Sequence, residues 1–193
     1  MGVEIEVKVR VEGHEAVRAK LRELGGLGGG LTHEVNVFFD SPDGRLRALR
    51  RGLRIRTNRG PDGVTVVLTC KGPADGEVQG VKQREEIEVT LPADGGAEAM
   101  TAVLGRLGYF PTLSFEKRRE TWRLGAAEVV LDVLPRLGSF VEVEAGDAGE
   151  VREVLERLGL GGAEVVAESY IVMMSRLAEK LGGARHIGFD ETT

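Results

Sequence analysis

The chain has 193 residues, of which 41% are hydrophobic and 30% charged, and its formal net charge is -5. This composition is typical of a globular protein with a substantial core. The acidic balance and the aromatic content of 5% argue against a general nucleic-acid surface, which is usually basic and carries aromatic side chains for stacking.

The single cysteine, Cys70, excludes a disulfide framework and a thiolate metal cluster. The start of the chain, Met1-Gly2-Val3-Glu4, lacks the features of a signal peptide, and no apolar run reaches membrane-spanning length. We therefore expect a cytoplasmic protein that has neither nucleic acid nor a membrane as a partner.

Eight segments have the composition of strands, and the strong turn signals between them predict antiparallel pairing. In chain order they are residues 3–11, 33–40, 52–58, 63–71, 82–91, 114–124, 127–134 and 139–145. Turns are predicted at residues 41–44, 59–63 and 72–76, and Leu124-Gly125-Ala126 predicts a tight hairpin.

Four helices are predicted from apolar residues spaced three and four apart, near residues 17–24, 100–107, 151–158 and 171–181. The glycine-rich residues 25–30 predict the end of the first helix and a following loop. We expect one domain over residues 1–181 and a flexible tail over residues 182–193, which have no periodicity and a polar end.

Charged residues line one face of the predicted strands. Successive strand side chains point to opposite faces, so Glu4, Glu6 and Lys8 share one face while Ile5 and Val7 share the other. An ordinary exposed face would accept uncharged polar residues about as readily, but this alternation recurs in several strands. The same parity selects the acids Glu4, Glu6, Glu86, Glu88, Asp132, Glu142 and Glu144 and the bases Lys8, Arg54, Arg56, Lys71, Arg84, Lys117 and Arg119.

The near balance of acids and bases favours an enclosed face over an open surface. The predicted fold is therefore α+β, with an eight-stranded antiparallel closed β-barrel and about four flanking helices. The bases of such a lumen could hold a polyanion, and its carboxylates could hold hard divalent cations such as Mg²⁺ or Mn²⁺. This combination is typical of phosphoryl chemistry.

The order of the motifs resembles the CYTH superfamily, also called the triphosphate tunnel metalloenzymes, over nearly the whole chain from residue 2 to residue 181. The motifs are Glu4-x-Glu6-x-Lys8, Leu53-Arg54-Ile55-Arg56, Lys71-Gly72-Pro73, Glu116-Lys117-x-Arg119, Asp132 and Leu137-Gly138-x-Phe140-x-Glu142-x-Glu144. Within the superfamily, the CyaB-like branch of class IV adenylyl cyclases is the most similar, on Asn36-Val37-Phe38-Phe39-Asp40, Leu107-Gly108-Tyr109 and Ser169-Tyr170.

The resemblance implies roles for individual residues. It implies catalytic roles for Glu4, Glu6 and Lys8. The implied substrate-binding residues are Lys8, Arg54, Arg56, Lys71, Arg84, Lys117 and Arg119. The implied ligands of Mg²⁺ or Mn²⁺ are Glu4, Glu6, Glu142 and Glu144, with Asp132 and Glu86 as helpers, although a structural hydrogen bond is an equal alternative for Asp132.

The activity implied is conversion of ATP to cyclic AMP and pyrophosphate. Hydrolysis of inorganic tripolyphosphate, thiamine triphosphate or a nucleoside triphosphate is the first alternative, and a non-catalytic module that binds polyphosphate or nucleotides is the second. Family members are often dimers, so a homodimer is a further expectation.

Overall fold

The structure is a computed structural model that describes residues 5–78 and 81–189, with side chains described throughout these ranges except at residues 74–78 and 81–84. This part of the chain contains nine strands and five helices. The strands are β1 (Ile5–Val11), β2 (Leu27–Asp40), β3 (Gly52–Gly60), β4 (Gly63–Val78), β5 (Val81–Leu91), β6 (Phe110–Leu124), β7 (Ala127–Leu134), β8 (Gly138–Ala145) and β9 (His186–Ile187). The helices are α1 (Glu15–Glu23), α2 (Arg45–Ala48), α3 (Gly96–Arg106), α4 (Ala148–Arg157) and α5 (Tyr170–Lys180).

The strands form one sheet in the order β2-β3-β4-β5-β1-β8-β7-β6-β9, and β2 also pairs with β6. All pairings among the first eight strands are antiparallel, whereas β9 lies parallel to β6. Leu124 is opposite Ala127, which confirms the tight hairpin, and Gly125 supplies its left-handed φ of 65°. The antiparallel, sheet-rich α+β fold is confirmed.

The two pairings that would complete a closed barrel differ in extent. β2 and β6 are in register from Leu27 opposite Arg123 to Asp40 opposite Phe110. In contrast, within the described residues the pairing of β1 with β5 has one pair of opposite residues, Glu6 and Lys82. The closed barrel therefore stays a prediction.

The glycine-rich segment after α1 differs from its prediction as a loop, because β2 already begins at Leu27. Gly28 lies against the indole of Trp122, and a Cβ at this position would be 3.0 Å from three of the ring atoms. Close packing of backbone on an aromatic ring thus requires a glycine here, and the strand continues through it.

The break predicted at residues 72–76 is wrong, because β4 continues to Val78. Its pairing with β5 shifts register between Lys71 and Ala74, and again between Ala74 and Glu77. β-Bulges accommodate Gly and Pro within a strand, so the turn-like composition bends β4 without ending it.

A short helix that was not predicted, α2, follows β2. The Asp40 carboxylate accepts hydrogen bonds from the backbone N–H groups of Leu46 and Arg47, at 2.8 and 3.1 Å. These bonds satisfy donors that have no partner within so short a helix, so Asp40 holds the connection to β3.

The sheet has two faces, and we call the face that carries Val7 and Val9 the outward face and the face that carries Lys8 the inward face. The outward face carries the larger hydrophobic core. Aliphatic residues of β1, β7 and β8 pack beneath α1 and α4, and α3 covers a second cluster on β3, β4 and β5. Each such side chain contributes about 1.5–3 kcal/mol through burial. No helix in the described part of the chain is both long and apolar enough to cross a membrane.

α5 packs at one end of the opposite, inward face. Met173 and Met174 contact a cluster that includes Phe115, Leu134 and Phe140. Phe115 lies two residues before Lys117 on β6, and Phe140 two before Glu142 on β8, so these rings share the face of the charged residues. Apolar side chains therefore fill this end of the inward face.

The C-terminal segment was predicted as a flexible tail, and its described residues include β9. β9 pairs with Ser114 and Phe115 of β6, and Ile187 is buried in the cluster beneath α5. Residues 190–193 lie outside the described part of the chain. The division into a domain over residues 1–181 and a tail stays a prediction.

Candidate functional site

The alternation read from the sequence separates two environments on β1 and β8. Val7 and Val9 are buried in the core under α4, together with Val141 and Val143 of β8. Lys8 lies opposite Glu142 on the other face, and its Nζ is 3.4 Å from Oε1 of that carboxylate. Only 4% of Lys8 is exposed, so most of the solvent is excluded from this position.

Charged side chains from six neighbouring strands meet on the inward face. We call this group the inner ion cluster, and its members are Lys8, Glu34, Arg56, Lys117, Arg119, Asp132 and Glu142. Buried charges are tolerated only when they are paired and hydrogen-bonded.

Arg119 has the most extensive contacts in the cluster. Its Nε and Nη2 donate to the two oxygens of Asp132 at 2.8 and 2.6 Å, and Nη2 also donates to Glu142 at 2.7 Å. Such a bidentate pair fixes the guanidinium plane. Although burial lowers the pKa of Arg119, the neighbouring carboxylates outweigh this effect and raise that pKa well above its ordinary value.

Asp132 is completely buried and accepts from both Arg119 and Lys117. Burial raises the pKa of this carboxyl, but the two cations outweigh burial and hold the pKa well below its usual range. Asp132 is therefore ionised. Its observed partners are cations of the protein, which is the structural alternative left open by the sequence.

Glu34 is a member of the cluster that the sequence analysis missed. It is 2% exposed, and its carboxylate lies 3.2 Å from Nζ of Lys117, 3.3 Å from Nε of Arg56 and 3.7 Å from Nε of Arg119. Burial raises the pKa of Glu34, but Lys117, Arg119 and Arg56 outweigh burial and lower the pKa to about 2. The parity rule applied to β2 would have selected this residue together with Asn36.

Lys117 is the most deeply buried base of the cluster, with a side chain that is 2% exposed. Burial and the Arg119 charge lower the pKa of its ammonium to about 8, although Asp132 and Glu34 oppose the change. The Tyr170 ring lies over this base and over Lys8, with 5.4 and 4.1 Å from each Nζ to the ring centroid. Tyr170 thus joins α5 to the cluster through cation–π contacts.

Arg54 and Thr69 extend the polar surface beside the cluster. Nη2 of Arg54 donates to Thr69 at 3.2 Å, and Thr69 donates to Glu88 at 2.8 Å. Burial and the nearby Arg56 lower the pKa of Arg54 to about 9. Within the described part of the chain, its buried Nε has no hydrogen-bond partner.

Other predicted site residues lie apart from the cluster or outside the described residues. Lys71 and Glu86 form an ion pair with each other between β4 and β5. Glu4 lies outside the described residues, as does the side chain of Arg84. The assignment of these residues stays a prediction.

The carboxylates predicted to hold Mg²⁺ or Mn²⁺ occupy neighbouring positions on two strands. Glu6 of β1 is opposite Glu144 of β8, two register positions along from Lys8 and Glu142 and so on the same face. Within the described residues, no three His, Cys, Asp or Glu side chains converge closely enough to hold a metal ion. The chemistry of this row, carboxylate oxygen only, fits a hard divalent cation.

Comparisons with known proteins identify relatives that are similar in sequence and in fold. A protein from Methanocaldococcus jannaschii named "Putative adenylate cyclase MJ0240" is 26% identical over 178 residues, which cover 88% of this chain and 97% of that protein. The structure of the PH1819 protein from Pyrococcus horikoshii OT3 has a TM-score of 0.74 at 26% identity and covers 90% of this chain and 99% of its own.

A third similar structure is that of a Hippeastrum protein, HpAC1, with a TM-score of 0.69 at 22% identity over 94% of this chain and 97% of its own. At that identity the match shows a shared fold. The model of the CYTH domain matches residues 2–170. This match covers most of the sequence, and the chain therefore belongs to the CYTH domain family.

Proposed function

We propose that this protein is a divalent-metal-dependent enzyme that acts on a triphosphate bound among the bases of the inward face. The observation that carries this proposal is the concentration of Lys8, Arg56, Lys117 and Arg119 within one buried cluster. A triphosphate carries several negative charges, and burial strengthens its attraction to these bases because the local dielectric is low.

The proposed binding site is a tunnel enclosed by eight strands. The long pairing of β2 with β6 supports this, because it joins the first strand of the linear strand order to the strand next to its other end, β9. The filling of one end by α5 and its apolar partners also supports a space with one closed end. The side chains of the opposite end, including Glu6 and Glu144, would then face the entrance.

Each base has a proposed role in binding. Lys8, Lys117 and Arg119 would contact phosphate oxygens from β1 and β6, and Arg54 and Arg56 would contact them from β3. The unpartnered Nε of Arg54 is a donor suited to a phosphate oxygen. The remaining predicted substrate-binding residues, Lys71 and Arg84, belong to the outer part of this proposed site.

Glu4, Glu6, Glu142 and Glu144 are the proposed ligands of Mg²⁺ or Mn²⁺, with Asp132 and Glu86 as the predicted helpers. A bound divalent cation would neutralise charge that develops on the phosphoryl oxygens during transfer. Lys8 lies beside these acids and would hold the triphosphate against them.

We propose adenylyl cyclase activity as the first candidate. In this reaction the ribose 3′-hydroxyl attacks the α-phosphorus of ATP, loses its proton, and the bond to the pyrophosphate leaving group breaks. The relative from M. jannaschii with the name "Putative adenylate cyclase MJ0240" supports this choice.

Hydrolysis of a triphosphate is the second candidate. Here water attacks the terminal phosphorus and loses a proton, and the bond from that phosphorus to the bridging oxygen breaks. The diphosphate part leaves with the bridging oxygen, and the terminal phosphorus is released as phosphate with the oxygen of the water. The structure of the Hippeastrum protein is described as that of a "Putative adenylyl cyclase" that reveals a dominant triphosphatase activity, so one fold is associated with both names.

Product analysis tests the proposal. The protein is incubated with ATP, thiamine triphosphate or tripolyphosphate in Mg²⁺ or Mn²⁺, and phosphate, pyrophosphate and cyclic AMP are separated. Cyclic AMP with pyrophosphate identifies a cyclase, and phosphate without cyclic AMP identifies a triphosphatase. Binding without turnover would reject the enzyme in favour of a binding module, and absence of binding would reject the triphosphate site altogether.

Charge-removing variants test the metal ligands. Glu4→Gln and Glu6→Gln should each abolish metal-dependent turnover while the protein remains folded, because each change removes a ligand charge and keeps the shape. Glu12→Gln, just beyond the end of β1, is the matched control and should retain activity. Full turnover in Glu6→Gln would reject this ligand assignment.

A further inference from the structure

Glu34 occupies the middle of a group of cations on two strands. β2 lies between β3 and β6, and the register places Glu34 directly opposite Lys117. Arg56 and Arg119 come from diagonal positions on the two sides, since Asn36 pairs with Arg56 and Thr32 with Arg119. A side chain at this position reaches all three bases.

The contacts of Glu34 show that its negative charge is its main contribution. Its two oxygens lie within 3.2–3.7 Å of the three cations, and its carboxylate also accepts a hydrogen bond from the amide of Asn36 at 3.5 Å. Three cations that all contact one carboxylate lie close together, and they repel one another strongly in a buried site because little water is present to screen them. Without this carboxylate, Arg56 would lose its ion pair with Glu34, while Lys117 and Arg119 would keep Asp132 as their shared partner, so the repulsion among the three cations would be less compensated.

A bound triphosphate would change this balance. Its oxygens would supply negative charge to the same three bases, and the Glu34 carboxylate would then repel the ligand. The effect of Glu34 is therefore favourable in the empty protein and unfavourable toward an anionic ligand. By linkage, a group that stabilises the empty state more than the bound state lowers the affinity for the ligand.

We propose that Glu34 is a positioning residue that acts as the resident counter-anion of the triphosphate site, holding its three cationic partners in place while the site is empty. This inference rests on the proposed function, because it assumes that those cations bind a triphosphate. It assigns Glu34 to neither the metal nor the substrate. Glu34 therefore has two opposing effects. It weakens the binding of the anionic ligand, and it keeps the three bases in the arrangement that turnover needs.

Thermal unfolding with and without tripolyphosphate tests the inference, in buffer with a chelator so that no metal takes part. Glu34→Gln keeps the shape of the side chain and removes its charge. We expect a lower Tm for the empty variant and a larger increase of Tm with tripolyphosphate than in the wild type. A tenfold gain in affinity would add about 3–6 °C to the ligand-induced increase for a domain of this size.

Glu120→Gln is the matched control. Glu120 also lies on the β2–β6 pair and accepts hydrogen bonds from Arg18 and Trp122, but on the outward face. This variant should lower the Tm without changing the increase caused by tripolyphosphate. An equal ligand-induced increase in Glu34→Gln and the wild type would overturn the proposal, because it would mean that Glu34 has a structural role only.

Two further measurements keep the test decisive. If Glu34→Gln does not fold alone, tripolyphosphate should recover its folding, and failure to recover it at concentrations that saturate the wild type would also reject the proposal. Where turnover is measurable, Glu34→Gln should lower KM and kcat together. A wild type whose Tm does not respond to tripolyphosphate would instead reject the triphosphate site itself, so the two failures are distinguishable.

Discussion

Alternate residues of β6 carry charged side chains into two different environments. Lys117 and Arg119 point inward, where each contacts at least two buried carboxylates. Glu116 and Glu120 point outward, where their ion-pair partners include His33 and Arg18, whose side chains are 37% and 29% exposed. The residue types are similar on the two faces, so the difference lies in burial and in the number of partners.

The comparison teaches that an ion pair has a different physical role on each face. An exposed pair is screened by water and contributes about 0–1 kcal/mol. A buried pair costs desolvation, and removing one partner leaves the other charged without compensation. The inner ion cluster should therefore respond to single substitutions much more strongly than the outward pairs do.

The largest effect is expected for Asp132→Asn. The change leaves Lys117 and Arg119 buried with one carboxylate fewer, and we expect a loss of about 3–5 kcal/mol in the free energy of unfolding. Urea unfolding measures this loss. A decrease below about 1 kcal/mol would show that the inward pairs behave like the outward ones.

The apolar end of the inward face should be almost as sensitive. Met174 is completely buried beneath α5, so Met174→Ala should lower the free energy of unfolding by about 2–5 kcal/mol. Val172→Ala on the same helix is the control, because Val172 is 42% exposed and should change stability much less. Equal losses in the two variants would contradict the packing of α5 described above.

Acid should distinguish the two faces through Glu34. Its pKa of about 2 in the folded protein lies below the ordinary value of 4.5, so the folded state binds this proton less readily than the unfolded chain. The stabilisation is complete above about pH 5 and is lost as the pH falls toward 2, on the order of 3 kcal/mol in total. Urea unfolding at several pH values should show that the free energy of unfolding depends less on pH in Glu34→Gln than in the wild type. An unchanged pH dependence would contradict the lowered pKa of Glu34.

The smallest effect is expected for the outward pair of Arg18 and Glu120. Nε of Arg18 donates to the Glu120 carboxylate at 2.8 Å, and the Arg18 side chain is 29% exposed. Arg18→Ala should cost about 0–1 kcal/mol and have less effect at high salt. A loss as large as that of Asp132→Asn would remove the distinction between the two faces.

Parity explains how much of this arrangement could be predicted from the sequence. It placed Lys8, Lys117 and Arg119 on the same face as Asp132 and Glu142, because each lies in a strand with clear alternation. Parity predicts which face of the sheet a side chain lies on, but it predicts neither how deeply the side chain is buried nor which residue it contacts. The contact of Lys8 with Glu142 joins positions 134 residues apart, and no local pattern encodes such a separation.

The predictions that failed have physical reasons of the same kind. Gly28 and Pro73 read as breakers from their backbone preferences, yet an aromatic neighbour and a pair of register shifts keep both within strands. The closed barrel and the roles of individual site residues remain predictions. They depend on bound ligands and on which strands pair with each other, and the pattern of residues along the sequence contains neither.

The pairing of β1 with β8 has a consequence for how the chain acquires its structure. β1 is synthesised well before its partner β8, which is complete only at residue 145. During that interval Lys8 has no buried carboxylate, and the aliphatic face of β1 has no core to enter. Nascent chains should therefore remain susceptible to proteases and dependent on chaperones until β8 has been synthesised, and refolding should be slow for the same reason.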